Sequence, residues 1–138
     1  MPTNAEVVLA AFRAVERRDR EGLYALYHPD VELHEAPSLP YGGTVRGKEA
    51  NRAETSWEQT WDPLQPTDAE RAMDPRVVAA AGDEVVVRWR ARAVDAAGRR
   101  FDGPVLGLYE VRDGLFARAQ MFHFDTAALV AFLAAAAR

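Results

Sequence analysis

Apolar residues recur at helical intervals in the first part of the chain and at intervals of two in the second. Val8, Ala11, Phe12 and Val15 share one face of a 3.6-residue period, which predicts a helix over residues 4–17 capped by Thr3 or Asn4. Asp19 is placed to cap a shorter helix through Leu23, Leu26 and Tyr27, ending at His28-Pro29, because a residue before proline is pushed out of the α region. Val31 to Ala36 alternates strictly and predicts a strand, with Val31, Leu33 and Glu35 on one face and Glu32, His34 and Ala36 on the other. Pro40-Tyr41-Gly42-Gly43 reads as a turn or loop. A third helix is expected from Gly47 through Trp57 and Trp61 to Asp62-Pro63. Residues 64–75, interrupted by Pro66 and Pro75, show no clear period.

Four β segments follow, at 76–80, 84–95, 101–112 and 115–124. Ala81-Gly82-Asp83, Ala97-Gly98 and Asp113-Gly114 supply the turns, the last being a strong two-residue hairpin signal. On the last strand Leu115, Ala117, Ala119, Met121 and His123 alternate with Phe116, Arg118, Gln120, Phe122 and Phe124. The first set suits a cavity wall and the second an interface. A closing helix is expected over 125–137, capped by Asp125 or Thr126, with Leu129, Phe132 and Leu133 on one side. Helices early and antiparallel strands late indicate an α+β domain, and 138 residues fit one domain with one core.

Composition narrows the function classes. Hydrophobic residues make up 49% and charged residues 28%, a globular balance that argues against a disordered or fibrous chain. The net charge of -4 lacks the basic footprint of a nucleic-acid binder. Arg88, Arg90 and Arg92 share one strand face and read as a solvated or interface surface, so no nucleic acid is expected as partner. The absence of cysteine excludes disulfides, thiolate metal sites and cysteine nucleophiles, and fits a cytoplasmic protein. No apolar stretch is long enough to span a bilayer and the N-terminus carries no signal-peptide pattern, so no membrane partner is expected.

Several short motifs carry a resemblance. They are Asp30-Val31, His34-Glu35-Ala36-Pro37, Tyr41-Gly42-Gly43-Thr44 before Arg46-Gly47, Gly82-Asp83 before a valine-rich strand, and Phe124-Asp125-Thr126 opening the last helix. With the order of elements, they resemble the nuclear transport factor 2 superfamily along nearly the whole chain. The branch they resemble most is that of the SnoaL-like polyketide cyclases and ketosteroid isomerases. The resemblance implies a cone-shaped roll: a curved antiparallel sheet wrapped with three N-terminal helices and a C-terminal helix around one pocket. It also implies a homodimer packed through the outer sheet face, where Phe116, Phe122 and Phe124 would need cover. The superfamily includes isomerases, cyclases, dehydratases, epoxide hydrolases and plain binding domains, so fold does not settle function.

Glu35 is the first candidate for chemistry. On a face shared with Val31 and Leu33, an unpaired carboxylate has a raised pKa and suits a general base for a carbon-bound proton. The resemblance puts the base of ketosteroid isomerases at this strand end. The alternative is an edge acid paired with an arginine or facing water. His123, where relatives line the pocket, titrates in the neutral range when unperturbed and could pair with Glu35; it could equally be held by a hydrogen bond at the sheet's end. The Tyr41 hydroxyl is placed either to donate to a developing oxyanion or to cover the pocket mouth. Phe12, Leu33, Trp57, Trp61, Trp89 and Met121 are expected to line a substrate pocket, Tyr109 to pack as wall or core, and His34 to point away. His28, His34 and His123 have no ligand spacing, so no metal is expected, and nothing resembles a dinucleotide loop.

Departures from the family patterns limit the reading. Ala11 and Phe12 stand where ketosteroid isomerases carry an oxyanion-hole tyrosine, and Gly107 is nearest to their protonated aspartate. Residues 115–124 hold no acid, unlike the cyclases, and no Asp-Arg-Asp trio of an epoxide hydrolase can be built. The expectation is therefore an enzyme without cofactor, of isomerase, cyclase or dehydratase type, acting on an apolar carbonyl or polyketide-like compound. The alternative is a ligand-binding or dimerisation domain without catalysis.

Overall fold

The computed structural model describes all residues, Met1–Arg138. Helix α1 (Asn4–Glu16) starts at Thr3, whose hydroxyl accepts the Glu6 N–H at 3.1 Å. Asn4 instead donates to the Gly82 carbonyl at 3.2 Å, tying the helix to a distant β turn. Asp19 caps α2 (Arg20–Leu26) by accepting the Gly22 N–H at 2.9 Å.

Strand β1 (Tyr27–Glu35) begins earlier than the alternation predicts and includes His28 and Pro29. Proline brings no N–H to the ladder, and the pairing of β1 with its neighbour shifts register between Tyr27 and Glu32. The Asp30 N–H turns to His28 Nδ1 at 3.0 Å. Gly43, expected in the loop, opens strand β2 (Gly43–Arg46), which pairs antiparallel with β1.

The single third helix is instead two short ones, α3 (Lys48–Ala53) and α4 (Ser56–Trp61). The Glu54 carboxylate accepts the Ser56 N–H at 2.7 Å, a local bond that restarts the chain as a new helix. A 3-10 turn at Asp62–Leu64 follows. The segment without clear period contains α5 (Asp68–Arg71), set by a capping box between Thr67 and Glu70.

The second half follows the predicted order: β3 (Arg76–Ala81), β4 (Glu84–Val94), β5 (Arg100–Arg112), β6 (Leu115–His123) and α6 (Thr126–Ala136). The sheet order is β2-β1-β6-β5-β4-β3. Every pair is antiparallel except β1 with β6, which run parallel where the two ends of the fold meet. The result is an α+β fold with a curved, unclosed sheet wrapped by helices. No helix is long and apolar enough to cross a membrane.

A bulge decides which side chains of β6 face inward. Glu110 pairs with Arg118 but Val111 pairs with Phe116, leaving Ala117 as the extra residue. Phe116, expected on the outer face, therefore turns into the core, 5.9 Å from the Tyr27 ring and 5.5 Å from Tyr109. Beyond the bulge the alternation holds: Phe122 remains 51% exposed. The outer arginines of β4 are ion-paired, Arg90 with Asp102 at 2.7 Å and Arg92 with Asp74 at 2.8 Å.

The core has two parts. One gathers Val8 and Phe12 of α1 with Val31, Val85, Val87 and Val111 of the sheet. The other packs Leu129 and Leu133 of α6 against Trp61, Ala91 and Val105. Trp89 and Met121 touch both parts, and the cavity opens beside them.

Candidate functional site

Between α1, α4 and the concave side of the sheet lies a cavity of about 180 Å³. Its walls are mainly apolar: Phe12, Leu33, Trp57, Trp89 and Met121, all expected as lining residues, are there. Trp61, expected among them, lines a smaller recess of about 30 Å³ instead. That recess shares Glu35, Tyr41, Trp57 and Trp89 with the main cavity and extends to His123.

Glu35 ends β1 opposite Gly43 and points to the same side as Leu33. The cavity leaves part of its surface accessible, yet protein atoms surround the carboxyl group and no cation pairs with it. Removal from bulk water disfavours the anion and raises its pKa to about 8.

Tyr41, in the loop before β2, is near enough to Glu35 to feel its charge. Burial first, and that charge second, raise the phenol pKa. Tyr109 behaves likewise: burial is the main cause and Glu35 again contributes. Two phenols thus flank one carboxylate, and each has an indole beside it, Trp61 near Tyr41 and Trp89 near Tyr109.

His123 lies edge-on to Trp89, with ring centroids 6.5 Å apart. Burial lowers its pKa, so the imidazole is neutral at pH 7. It shares the recess with Glu35, but no hydrogen bond or ion pair joins the two, and neither appears among the causes of the other's shift. The expected dyad is therefore not assembled by direct contact. His34 faces outward, bonded to Glu32 and Thr44 at 2.9 Å each.

Trp61 and Trp89 are expected from the sequence as pocket lining and Tyr109 as wall or core; the polar side of all three was not legible there. A signal was present in Gly107. This glycine sits on the inner face of β5, two residues before Tyr109, and the space above it is taken by the Tyr109 ring. Arg18, lining the recess, was not singled out; it pairs with Asp62 at 2.9 Å and packs over the Trp57 ring at 5.9 Å. Asn51 is buried for structural reasons, donating to the Gly47 and Val45 carbonyls at 2.8 and 3.1 Å.

A curved sheet closed by helices around an apolar cavity, with one isolated carboxyl group at its inner end, defines a small-molecule pocket of the nuclear transport factor 2-like class. The SnoaL-like domain family matches residues 8–119, and the chain belongs to that family. Solved structures agree on the fold. TerC, co-crystallized with polyporic acid, is 24% identical with a TM-score of 0.78, over 95% of this chain and 98% of that one. A nuclear transport factor 2-like protein of unknown function from Burkholderia pseudomallei is 22% identical with a TM-score of 0.79, over 96% and 98%. A Mycobacterium tuberculosis protein in complex with estradiol-17beta-hemisuccinate is 21% identical with a TM-score of 0.61, over 84% and 89%. No curated protein matches the chain significantly in sequence.

Proposed function

We propose that this SnoaL-like protein is a cofactor-independent acid/base enzyme of the isomerase, cyclase or dehydratase type, acting on a compact apolar carbonyl compound. The observation that carries this reading is Glu35: a carboxyl group inside an apolar cavity, without a cationic partner, and with its pKa raised to about 8. A structural ion pair would hold the pKa low. A group tuned towards neutrality can both take and return a proton at physiological pH.

The step is simple. The Glu35 carboxylate removes a proton from the carbon beside a carbonyl, the C–H electrons form the enolate, and protonated Glu35 returns the proton to that carbon or another. With a pKa of about 8, roughly one molecule in ten carries the anion at pH 7. Phe12, Leu33 and Met121 surround the site with apolar surface, which keeps the anion basic. Tyr41 donates towards the oxygen from its side of Glu35. His123, neutral and further along the recess, is the second proton-exchanging group. That two fold neighbours were crystallised with organic molecules supports the choice of a small-molecule ligand.

The test is deuterium exchange at the acidic carbon of 2-tetralone in D₂O, followed by proton NMR. Wild type should accelerate exchange, and Glu35→Gln should lower that acceleration by about 100-fold or more. Exchange at the buffer rate, or unchanged in the variant, would overturn the reading. The second reading, binding without turnover, is favoured by the missing contact between Glu35 and His123; it predicts binding of the ketone with no exchange.

The convex face of the sheet has its own role in this proposal. Leu106 and Phe122, cross-strand partners on β5 and β6, are 47% and 51% exposed, and Phe124 beyond them is 85% exposed. An apolar patch of this kind is covered by a second copy of the chain, giving a homodimer that leaves the cavities on the opposite sides free.

A further inference from the structure

Three buried nitrogens in the recess have no hydrogen-bond partner: Trp61 Nε1, Trp89 Nε1 and His123 Nε2. Buried polar atoms are nearly always satisfied, so three orphans around one recess call for an explanation. The two indoles approach phenols, Trp61 that of Tyr41 and Trp89 that of Tyr109, but neither N–H completes a hydrogen bond. The indole nitrogen is a donor only, so what completes it must be an acceptor. Of the arginines at the recess, Arg18 is ion-paired with Asp62, Arg71 donates from Nε to the Gln65 carbonyl, and Arg90 turns its guanidinium to Asp102 on the outer face. Glu35 lines the same recess and opposes a second anion there, and a ligand ammonium would find indole donors facing it. The recess holds about 30 Å³, room for one oxygen-sized group, while the apolar cavity beside it holds the rest of a ligand.

We infer that the recess is an oxygen-anchoring subsite, in which the Trp61 and Trp89 indole N–H groups bind the neutral carbonyl oxygen of an apolar ketone and set the ligand's orientation against Glu35. This deepens the proposed function and rests on the cavity being the ligand site. It adds that specificity is for a ketone-type acceptor, and that two tryptophans recognise it. They are specificity-determining residues. Strengthening of the same bonds as the oxygen becomes an enolate would help the proton transfer.

Three probes of one shape separate the possibilities: 2-tetralone, tetralin without the oxygen, and 2-aminotetralin with a cation in its place. The chain has three tryptophans, so three indole N–H signals can be assigned in a nitrogen-15 spectrum. Titration with 2-tetralone should move the Trp61 and Trp89 indole protons downfield, while Trp57 moves little; tetralin should not produce this shift. The ketone should bind about tenfold tighter than tetralin, the worth of one hydrogen bond. Trp61→Phe and Trp89→Phe remove packing for both ligands but the N–H for the ketone only, so the ketone-to-tetralin ratio should fall towards one. Equal binding of ketone and tetralin, identical indole shifts for both, or preference for the amine would overturn the inference. Failure of all three to bind at millimolar concentration would overturn it together with the cavity as ligand site. Exchange at the buffer rate in the wild type, with the ketone preference intact, would remove Glu35 as the base and leave the subsite standing.

Discussion

The Tyr109 ring lies across Gly107, two residues earlier on the same strand, so closely that a Cβ at position 107 would sit 2.0 Å from the phenol oxygen. Only glycine leaves the inner face of β5 open there, and the phenol uses that opening to lie beside Trp89 and within the field of Glu35.

Gly107→Ala should therefore displace Tyr109 and destabilise the fold by about 1–3 kcal/mol, the range for an overpacked core. In a Tyr109→Leu background the same alanine should be tolerated far better. Urea denaturation of the four proteins in the cycle checks this, and additive effects would show that the two residues do not compete for the space.

Glu35 makes stability depend on pH. Its folded pKa is raised to about 8 from an ordinary 4.5, so between those values the folded state holds a proton that the unfolded state has lost. Stability should fall by about 1.4 kcal/mol per pH unit across that window and level off above it. Glu35→Gln should abolish this component of the slope and be more stable than wild type at pH 8. Denaturation curves from pH 5 to 9 measure both. A slope unchanged in the variant would mean that the carboxylate is ordinary.

His123 contributes with the opposite sign. Burial lowers its pKa, so below the ordinary value of 6.5 the unfolded state takes up a proton before the folded state does. Its contribution to stability should be complete above that value and lost as the pH falls through the lowered folded pKa. Histidine carbon shifts followed by NMR should show His123 titrating below the ordinary value of 6.5, and His123→Gln should flatten the acid side of the stability profile.

In the proposed reaction the same carboxyl group sets the pH dependence of proton transfer. Because the anion is the base, exchange into 2-tetralone should rise about tenfold per pH unit below the Glu35 pKa of about 8, and plateau above it. Initial rates between pH 6 and 9.5 in D₂O test this, with the isotope correction applied. A flat profile would point to a different base.

The convex patch predicts a dimer at micromolar concentration. Phe122→Asp places a charge beside Leu106 on that face and should yield a monomer with unchanged exchange activity, as seen by analytical ultracentrifugation. A wild-type monomer would remove the dimer from the account.

The sequence by itself determined the order of elements in the second half, because period-two alternation and glycine turns are local signals. It also put Glu35 on the apolar face of β1, since alternation fixes the face once Val31 and Leu33 are inward. The break between α3 and α4, and the strand β2, were less legible: each turns on a few local bonds, such as Glu54 to Ser56, that periodicity does not register. Tertiary structure alone decided the rest. The parallel pairing of β1 with β6 joins segments far apart in the chain, and the bulge at Ala117 reversed Phe116 because register belongs to two strands and not to one. The environment of Glu35 was also a tertiary matter. A carboxyl group's pKa is set by what surrounds it, and its neighbours Tyr41, Tyr109, Trp61 and Trp89 come from four separate parts of the sequence.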